Sequence, residues 1–307
     1  MVTFHPDLKG ARFLPSIPFG PRSIRLMNSG SPRPKPTPDD LVIDDVEVPG
    51  IGSNPPARLR LYRPARVSSA TPALLWIHGG GFVIGSPLQD EARSIETVRR
   101  LGITVAALTY RLAPDNPAPA ALDDAFAALT WLHEHADARL IDPERIAIGG
   151  ASAGGGLAAT LVLRAHDAGI GIPFQLLVYP MLDDRTVLRT DVDSRALRMW
   201  TTKNNRFGWS SYLGREPGGA DVTPYEAAAR RLDVTALPPA WIGVGSHDLF
   251  HDEDVEYARR LTEAGVPCEL VIVPGAFHGF DAVYAKAPVV RTFFEQQLAA
   301  LSSGLAL

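Results

Sequence analysis

Residues 146–160 read "IAIGGASAGGGLAAT", and the parsing of this stretch decides the architecture of the 307-residue chain. The apolar run Ile146–Ile148 gives way to glycines, and a small-residue, alanine-rich run follows with helical character. One hydroxyl, Ser152, stands at the junction, between Gly150-Ala151 and Ala153-Gly154. A strand that turns directly into a helix leaves almost no room at its corner. Side chains two residues to either side would collide with the adjoining strand and helix, so glycine belongs there, and the corner residue itself is held in strained dihedrals. The effect is to lift the serine hydroxyl clear of the sheet.

The same alternation extends in both directions. Upstream, "IDDVEVPG" (43–50) and "ARLRLYRP" (57–64) alternate as half-buried strands do, while "PALLWIHGG" (72–80) and "TVAALTY" (104–110) are more continuously apolar, as strands covered on both faces should be. Downstream come "FQLLVYP" (174–180), "PAWIGVGS" (239–246) and "CELVIVPG" (268–275). Helical spacing marks residues 88–101, 118–137, 153–168, 252–265 and 286–302. Strands alternating with helices predict a roughly eight-stranded, mostly parallel α/β sheet with helices on both faces, its first two strands antiparallel across a short turn. Two stretches stand apart. The proline- and glycine-rich start, including "PFGPRSIRLMNSGSPRPKPTPDD" (18–40), argues against long regular elements. Residues 181–235 carry Trp200, Phe207, Trp209 and Tyr212 without a clear strand, which predicts a helical lid inserted beside the active face. The expected organisation is therefore 1–45 and 181–235 as cap, and 46–180 with 236–307 as core.

Composition narrows the class of function. The chain is 46% hydrophobic and 21% charged, with 30 basic against 34 acidic residues, ordinary values for a globular protein. No lysine- or arginine-rich block recurs, so neither nucleic acid nor an anionic membrane surface is an expected partner. No run of apolar residues is long enough to span a bilayer, no signal-peptide core opens the chain, and a cytoplasmic location is expected. The single cysteine, Cys268, closes no intrachain disulfide and reads as a small buried hydrophobe rather than a catalytic thiol.

Gly150 to Gly154 matches G-x-S-x-G, the nucleophile elbow of α/β-hydrolases. At average composition such a pattern arises by chance in roughly one 300-residue chain in ten, so context has to carry it. "HGGGF" (78–82) supplies that context where it closes a strand: consecutive glycines let backbone N–H groups approach and hold an oxyanion. Gly80 and Gly81 are the expected donors, joined by the Ala153 N–H at the helix start; His78 is assigned to supporting the loop. A serine hydroxyl needs a base. Of eight histidines, His278 in "PGAFHGF" lies just past the last strand, on the edge where the elbow also lies, whereas His133, His135 and His166 fall within helices. The orienting acid should lie between serine and histidine in chain order. Asp248 is nearest the end of its strand; Asp252 and Asp254 read as first-turn carboxylates of the following helix. His247 and His251 beside these acids form no convincing metal set. Phe82, Phe207 and Trp209 are candidates for a substrate pocket, against the alternative that the two in the insertion only hold its helices together.

With these residues placed, the chain resembles the hormone-sensitive lipase branch of the α/β-hydrolases, specifically its bacterial esterases. The resemblance rests on "HGGGF" (78–82), "YRLAPDNPAPAALDD" (110–124), "GGASAGG" (149–155), "SHDLFHDE" (246–253) and "FHGF" (277–280), and runs from about residue 70 to the C-terminus. It implies the α/β-hydrolase fold with a helical cap, a serine carboxylesterase acting on short- to medium-chain acyl esters, and no cofactor. It further suggests a homodimer, which "CELVIVPG" as an edge strand could pair. Two positions depart from the family: Ala151 stands where Asp or Thr is usual before the serine, and Leu249 where proline usually follows the acid. Arg111 and Asp115 are expected to brace the loop under the oxyanion glycines. The competing readings are a non-catalytic small-molecule binder on this fold, whose signature would be a missing triad member, and a lactonase, amidase or peptidase using the same three residues.

The mechanism sets a pH dependence. The base must be a neutral imidazole, so hydrolysis is expected to fall away below roughly pH 6 to 7; a flat profile from about pH 5 to 8 with chemistry rate-limiting would contradict it.

Overall fold

The computed structural model describes residues 2–307 except 16, 31–33 and 35. Eight strands form one sheet: β1 (Leu41–Val48), β2 (Ala57–Pro64), β3 (Thr71–Ile77), β4 (Thr104–Thr109), β5 (Ile141–Ala151), β6 (Gln175–Val178), β7 (Ala240–Gly245) and β8 (Cys268–Val273). Their spatial order is β1-β2-β4-β3-β5-β6-β7-β8. β1 and β2 are antiparallel, as expected, but β2 is also antiparallel to β4, so β2 alone runs against the other seven strands. From β4 to β8 every pairing is parallel.

Parallel strands need crossover connections, and helices supply them on both faces. In chain order the α-helices are α1 (Pro21–Ser29), α2 (Glu91–Leu101), α3 (Ala120–Glu134), α4 (Ala136–Arg139), α5 (Ala153–Asp167), α6 (Thr202–Leu213), α7 (His251–Glu263), α8 (Phe280–Val283) and α9 (Pro288–Gly304). The core divides accordingly. One cluster packs α3, α5, α6 and α7 against one face of the sheet, with Leu75, Ile148, Leu161 and Ile242 among its members. The other packs α2, α8 and α9 on the opposite face around Leu74, Val105, Trp241 and Phe293.

α5 shows why its sequence is so rich in small residues. All but three of its fifteen residues are buried. A Cβ at Gly154 would fall inside the carbonyl oxygens of Ile77 and His78, and one at Gly156 inside the carbonyl of Met181. Each glycine weakens a helix by about 1 kcal/mol relative to alanine. Here that cost is offset by letting the helix sit directly on the ends of β3 and β6.

The residues before β1 are more ordered than their proline content predicts. Pro6–Phe13 form 3-10 turns and α1 is a nine-residue helix. Pro21 sits in the first turn of α1, where its missing N–H is no loss, and neither proline nor glycine follows until the helix has ended. This segment is fixed by partners far along the chain: the His5 N–H donates to Gly275 O at 3.1 Å, Arg198 Nε donates to Ala11 O at 2.7 Å, and Asn204 Nδ2 donates to Ile17 O at 3.0 Å. The Val289 N–H donates to Asp7 Oδ2 at 2.9 Å, and Asn28 Nδ2 to Val83 O at 2.9 Å. Between β6 and β7, residues 181–235 hold α6 and two 3-10 turns and no strand.

Adding a methyl group at Gly154 should cost about 3 kcal/mol, since the obstructing atoms are backbone. Gly171→Ala, where nothing lies within 4 Å of the added carbon, should stay within about 0.5 kcal/mol. Urea unfolding of the two variants measures the contrast.

Candidate active site

β5 ends at Ala151 and α5 begins at Ala153, with Ser152 between them at φ 58°, ψ −124°. A positive φ is costly for a residue with a Cβ and persists only when its surroundings fix it. They do so here: the Ser152 N–H donates to Val178 O at 2.9 Å, and the Ser152 carbonyl accepts from Gly156 at 3.0 Å and Met181 at 2.9 Å. Ser152 Oγ lies 2.8 Å from His278 Nε2, and His278 Nδ1 lies 2.8 Å from Asp248 Oδ2. The second Asp248 oxygen accepts the Phe250 N–H at 2.9 Å. A carboxylate facing Nδ1 makes that nitrogen the donor, leaving Nε2 free to accept a proton from the serine.

The three residues come from the ends of three strands, β5, β7 and β8. Because these strands are parallel, their carboxyl ends share one edge of the sheet, and side chains 126 and 30 positions apart meet there. All three are buried, at 6–7% exposure. The neighbouring acids stand elsewhere: Asp252 pairs with Arg189 at 2.6 Å and with His251 at 2.7 Å, and Asp254 is wholly buried within α7.

The "HGGGF" loop leaves β3 against this corner. A Cβ on Gly79 would lie 2.9 Å from Ala151 O and 3.2 Å from the Ser152 Cβ. Gly80 and Gly81 take φ 126° and 61°, a region that favours glycine. The N–H groups of Gly80, Gly81 and Ala153 donate to no described residue, so three free donors lie in the loop and helix start that adjoin the hydroxyl. Ala153 opens α5, which adds the positive end of a helix dipole. His78 braces the loop: its Nδ1 lies 2.8 Å from Gly79 O, its ring stacks on Tyr110 at 4.4 Å, and the Tyr110 hydroxyl donates to His78 O at 3.0 Å. Burial pulls its pKa down to about 4, so the ring is neutral at physiological pH.

Arg111 braces its loop through a different acid from the one expected. Asp115 is exposed, and the guanidinium instead donates from Nε to Asp124 Oδ1 at 2.9 Å. The Arg111 N–H donates to the same carboxylate at 2.8 Å. Cys268 is half-buried in β8, and burial pushes its thiol up to about 12, far from a reactive thiolate.

Of the aromatic candidates, Phe82 stacks on Tyr212 at 4.0 Å and lies 5.6 Å from Trp209; Phe82 is 2% exposed and Trp209 fully buried. This trio joins α6 to the glycine loop. Phe207 is half-buried on the same helix. The rings around His278 are others: Tyr179 at 4.9 Å, Phe250 at 5.1 Å and Trp200 at 6.1 Å. Trp200 also lies against Gly81, where a Cβ would overlap its indole, and carries Phe19 edge-on at 5.3 Å. Their sequence signals were slight: a tyrosine closing "LLVY", a phenylalanine two residues after Asp248, and one tryptophan among several in the insertion.

Two buried acids lie at the start of α7, close behind Asp248. Glu253 accepts the N–H groups of Leu182 at 2.7 Å and Asp183 at 3.1 Å and also the Thr186 hydroxyl, tying the chain after β6 to α7. Asp254 has no hydrogen-bond partner on either oxygen among the described residues. Burial, then the charges of Glu253 and Asp248, raise its pKa well above the usual carboxylate range.

Comparison with known proteins places the fold and the family. A family model for the alpha/beta hydrolase fold matches residues 74–282. Carboxylesterase NlhH of Mycobacterium tuberculosis is 34% identical over 255 residues, covering 80% of this chain and 78% of that protein. An ethyl acetate hydrolase of Pseudomonas putida is 34% identical over 237 residues, covering 72% and 70%. Among solved structures, a bacterial heroin esterase superposes with a TM-score of 0.89 at 37% identity, over 99% of this chain and 98% of that one. No helix of the described residues is long and apolar enough to cross a membrane.

The Asp254 carboxyl yields a signed prediction. Its pKa is raised in the folded state, so above the unfolded value near 4 the native state holds a proton that the unfolded state has released, and stability falls as pH rises. Asp254→Asn removes that loss. The difference in stability between the variant and the native chain should move in favour of the variant as pH rises above about 4 until the folded-state pKa is passed, read by urea unfolding. A constant difference would contradict the shift.

Proposed function

Since the chain belongs to the hormone-sensitive-lipase-like branch of the α/β-hydrolases and is a carboxylic ester hydrolase, we propose that it works through an acyl-enzyme formed on Ser152. The supporting observation is the unbroken hydrogen-bonded line from Ser152 Oγ through His278 to Asp248, at 2.8 Å in each link. His278 Nε2 takes the hydroxyl proton as Oγ attacks the ester carbonyl. The Gly80, Gly81 and Ala153 N–H groups hold the resulting oxyanion, each worth about 3–4 kcal/mol if typical. Asp248 stabilises the imidazolium and fixes its orientation. The alcohol leaves with the proton from Nε2; water then gives its proton to the same nitrogen, attacks the acyl carbon and releases the acid, and Oγ is reprotonated.

In this reading residues 1–45 and 181–235 form a cap that chooses the substrate. Support comes from Phe19 on Trp200, and from Trp200 lying between Gly81 and His278, which brings both segments over the serine. A nucleophile only 6% exposed and ringed by aromatic side chains suits short acyl groups. The relative named as an ethyl acetate hydrolase points the same way.

A panel of p-nitrophenyl esters tests the proposal. The native chain should turn over the butyrate ester faster than the palmitate ester. Ser152→Ala should lose about 10⁴-fold or more in kcat. Persistent hydrolysis by that variant would remove the assignment of the nucleophile, and better turnover of palmitate would overturn the enclosed site.

A further inference from the structure

On the sheet face opposite α3 and α5, a cavity of about 220 Å³ lies between α2, α9 and the strands. It backs directly onto the candidate active site. Ala151, which precedes Ser152, forms part of its wall, and so does Tyr179, whose ring stands edge-on to His278 at 4.9 Å. Much of the lining is apolar, from Leu74, Leu176, Val178 and Leu298.

Polar groups short of partners face this apolar lining. Ser94, Thr97 and Gln297 line the cavity at 4–8% exposure, and their side chains hydrogen-bond to no described residue. Asp90 Oδ2 accepts the Trp76 indole N–H at 2.8 Å, while Oδ1 accepts nothing. Asp281 Oδ1 accepts the Tyr179 hydroxyl at 2.7 Å, and its Oδ2 is free. The cation in the wall, Arg93, pairs with neither carboxylate; its guanidinium lies 4.2 Å from the centre of the Phe294 ring.

Buried polar groups such as Ser94, Thr97 and Gln297 are ordinarily satisfied, and the two half-buried carboxylates, Asp90 and Asp281, favour a positive partner. Burial, with a further push from Asp281, raises the Asp90 carboxyl to about 6, as expected of an anion that lacks sufficient compensation. A ligand that suits this lining therefore donates hydrogen bonds and carries positive charge on an apolar body. Room is sufficient: a cavity of about 150 Å³ holds benzene. We propose that this cavity is a second ligand site for a small primary organic ammonium, with the ammonium toward Asp90 and Asp281 and an aryl or short alkyl body against Leu74, Leu176 and Leu298.

The test uses benzylammonium chloride, with benzyl alcohol as its uncharged counterpart. Binding is read by calorimetry and by Tm, neither of which needs ester turnover, so the outcome is separate from that of the Ser152 assignment. The native chain should bind benzylammonium and gain about 2 °C in Tm at an excess of about tenfold over Kd. Ser152→Ala should bind it equally. Asp90→Asn, which keeps an acceptor for Trp76, should weaken binding roughly tenfold, as should replacement of the probe by benzyl alcohol. Ala282→Trp, at the exposed mouth of the cavity, should abolish binding. No heat and no Tm shift with the native chain would leave water as the occupant and overturn the proposal. Undiminished binding by Ala282→Trp or Asp90→Asn, equal binding of the alcohol, or loss of binding in Ser152→Ala would overturn it as well.

Discussion

The close approach of three backbone segments governs this molecule: the end of β3, the corner at Ser152 and the first turn of α5. A Cβ at Gly150 would overlap the Gly154 carbonyl, one at Gly154 the carbonyls of Ile77 and His78, and one at Gly79 would press on Ala151. These contacts interlock, so none can relax without displacing the others. They hold Ser152 at a φ it would not otherwise keep, and they set the glycine loop against its hydroxyl. The energetic cost is carried by the helix, which gives up intrinsic propensity at three consecutive glycines and regains it through burial on the sheet.

Much of this was readable in the sequence because it is local. Strand-turn-helix corners, glycines at fixed offsets and apolar runs that alternate with helical spacing each leave a mark within a few residues. All eight strands were visible for that reason, and nearness to the end of its strand separated Asp248 from its acidic neighbours. Long-range pairing leaves no such mark. Arg111 has Asp115 four residues away, yet takes Asp124 because α3 carries that carboxylate back under the loop. Asp254 reads as an ordinary first-turn acid, and only the chain packed over α7 buries it. Nothing in the spacing of Trp200, Phe250 or Tyr179 announces that they converge on one imidazole. α1 was hidden behind its own composition, since prolines before and after it obscure a clean helical interval.

Enclosure and charge act together around Asp248. Three buried carboxyl groups, Asp248, Glu253 and Asp254, occupy the loop after β7 and the first turn of α7, and only one faces an imidazole. Burial raises the pKa of Glu253, with a smaller push from Asp183, and that of Asp254, with a smaller push from Glu253 and Asp248. The rings of Tyr179, Phe250 and Trp200 enclose the imidazole that the Asp248 carboxylate faces.

The attachment of the first thirty residues has a consequence for biosynthesis. Their anchors are Val83, Arg198, Asn204, Gly275 and Val289, the last of them 282 positions from its partner Asp7. A segment anchored as far along the chain as Gly275 and Val289 cannot complete its docking until those residues have been synthesised. Until then Trp200, beside Gly81 and His278, lacks the edge-on contact of Phe19.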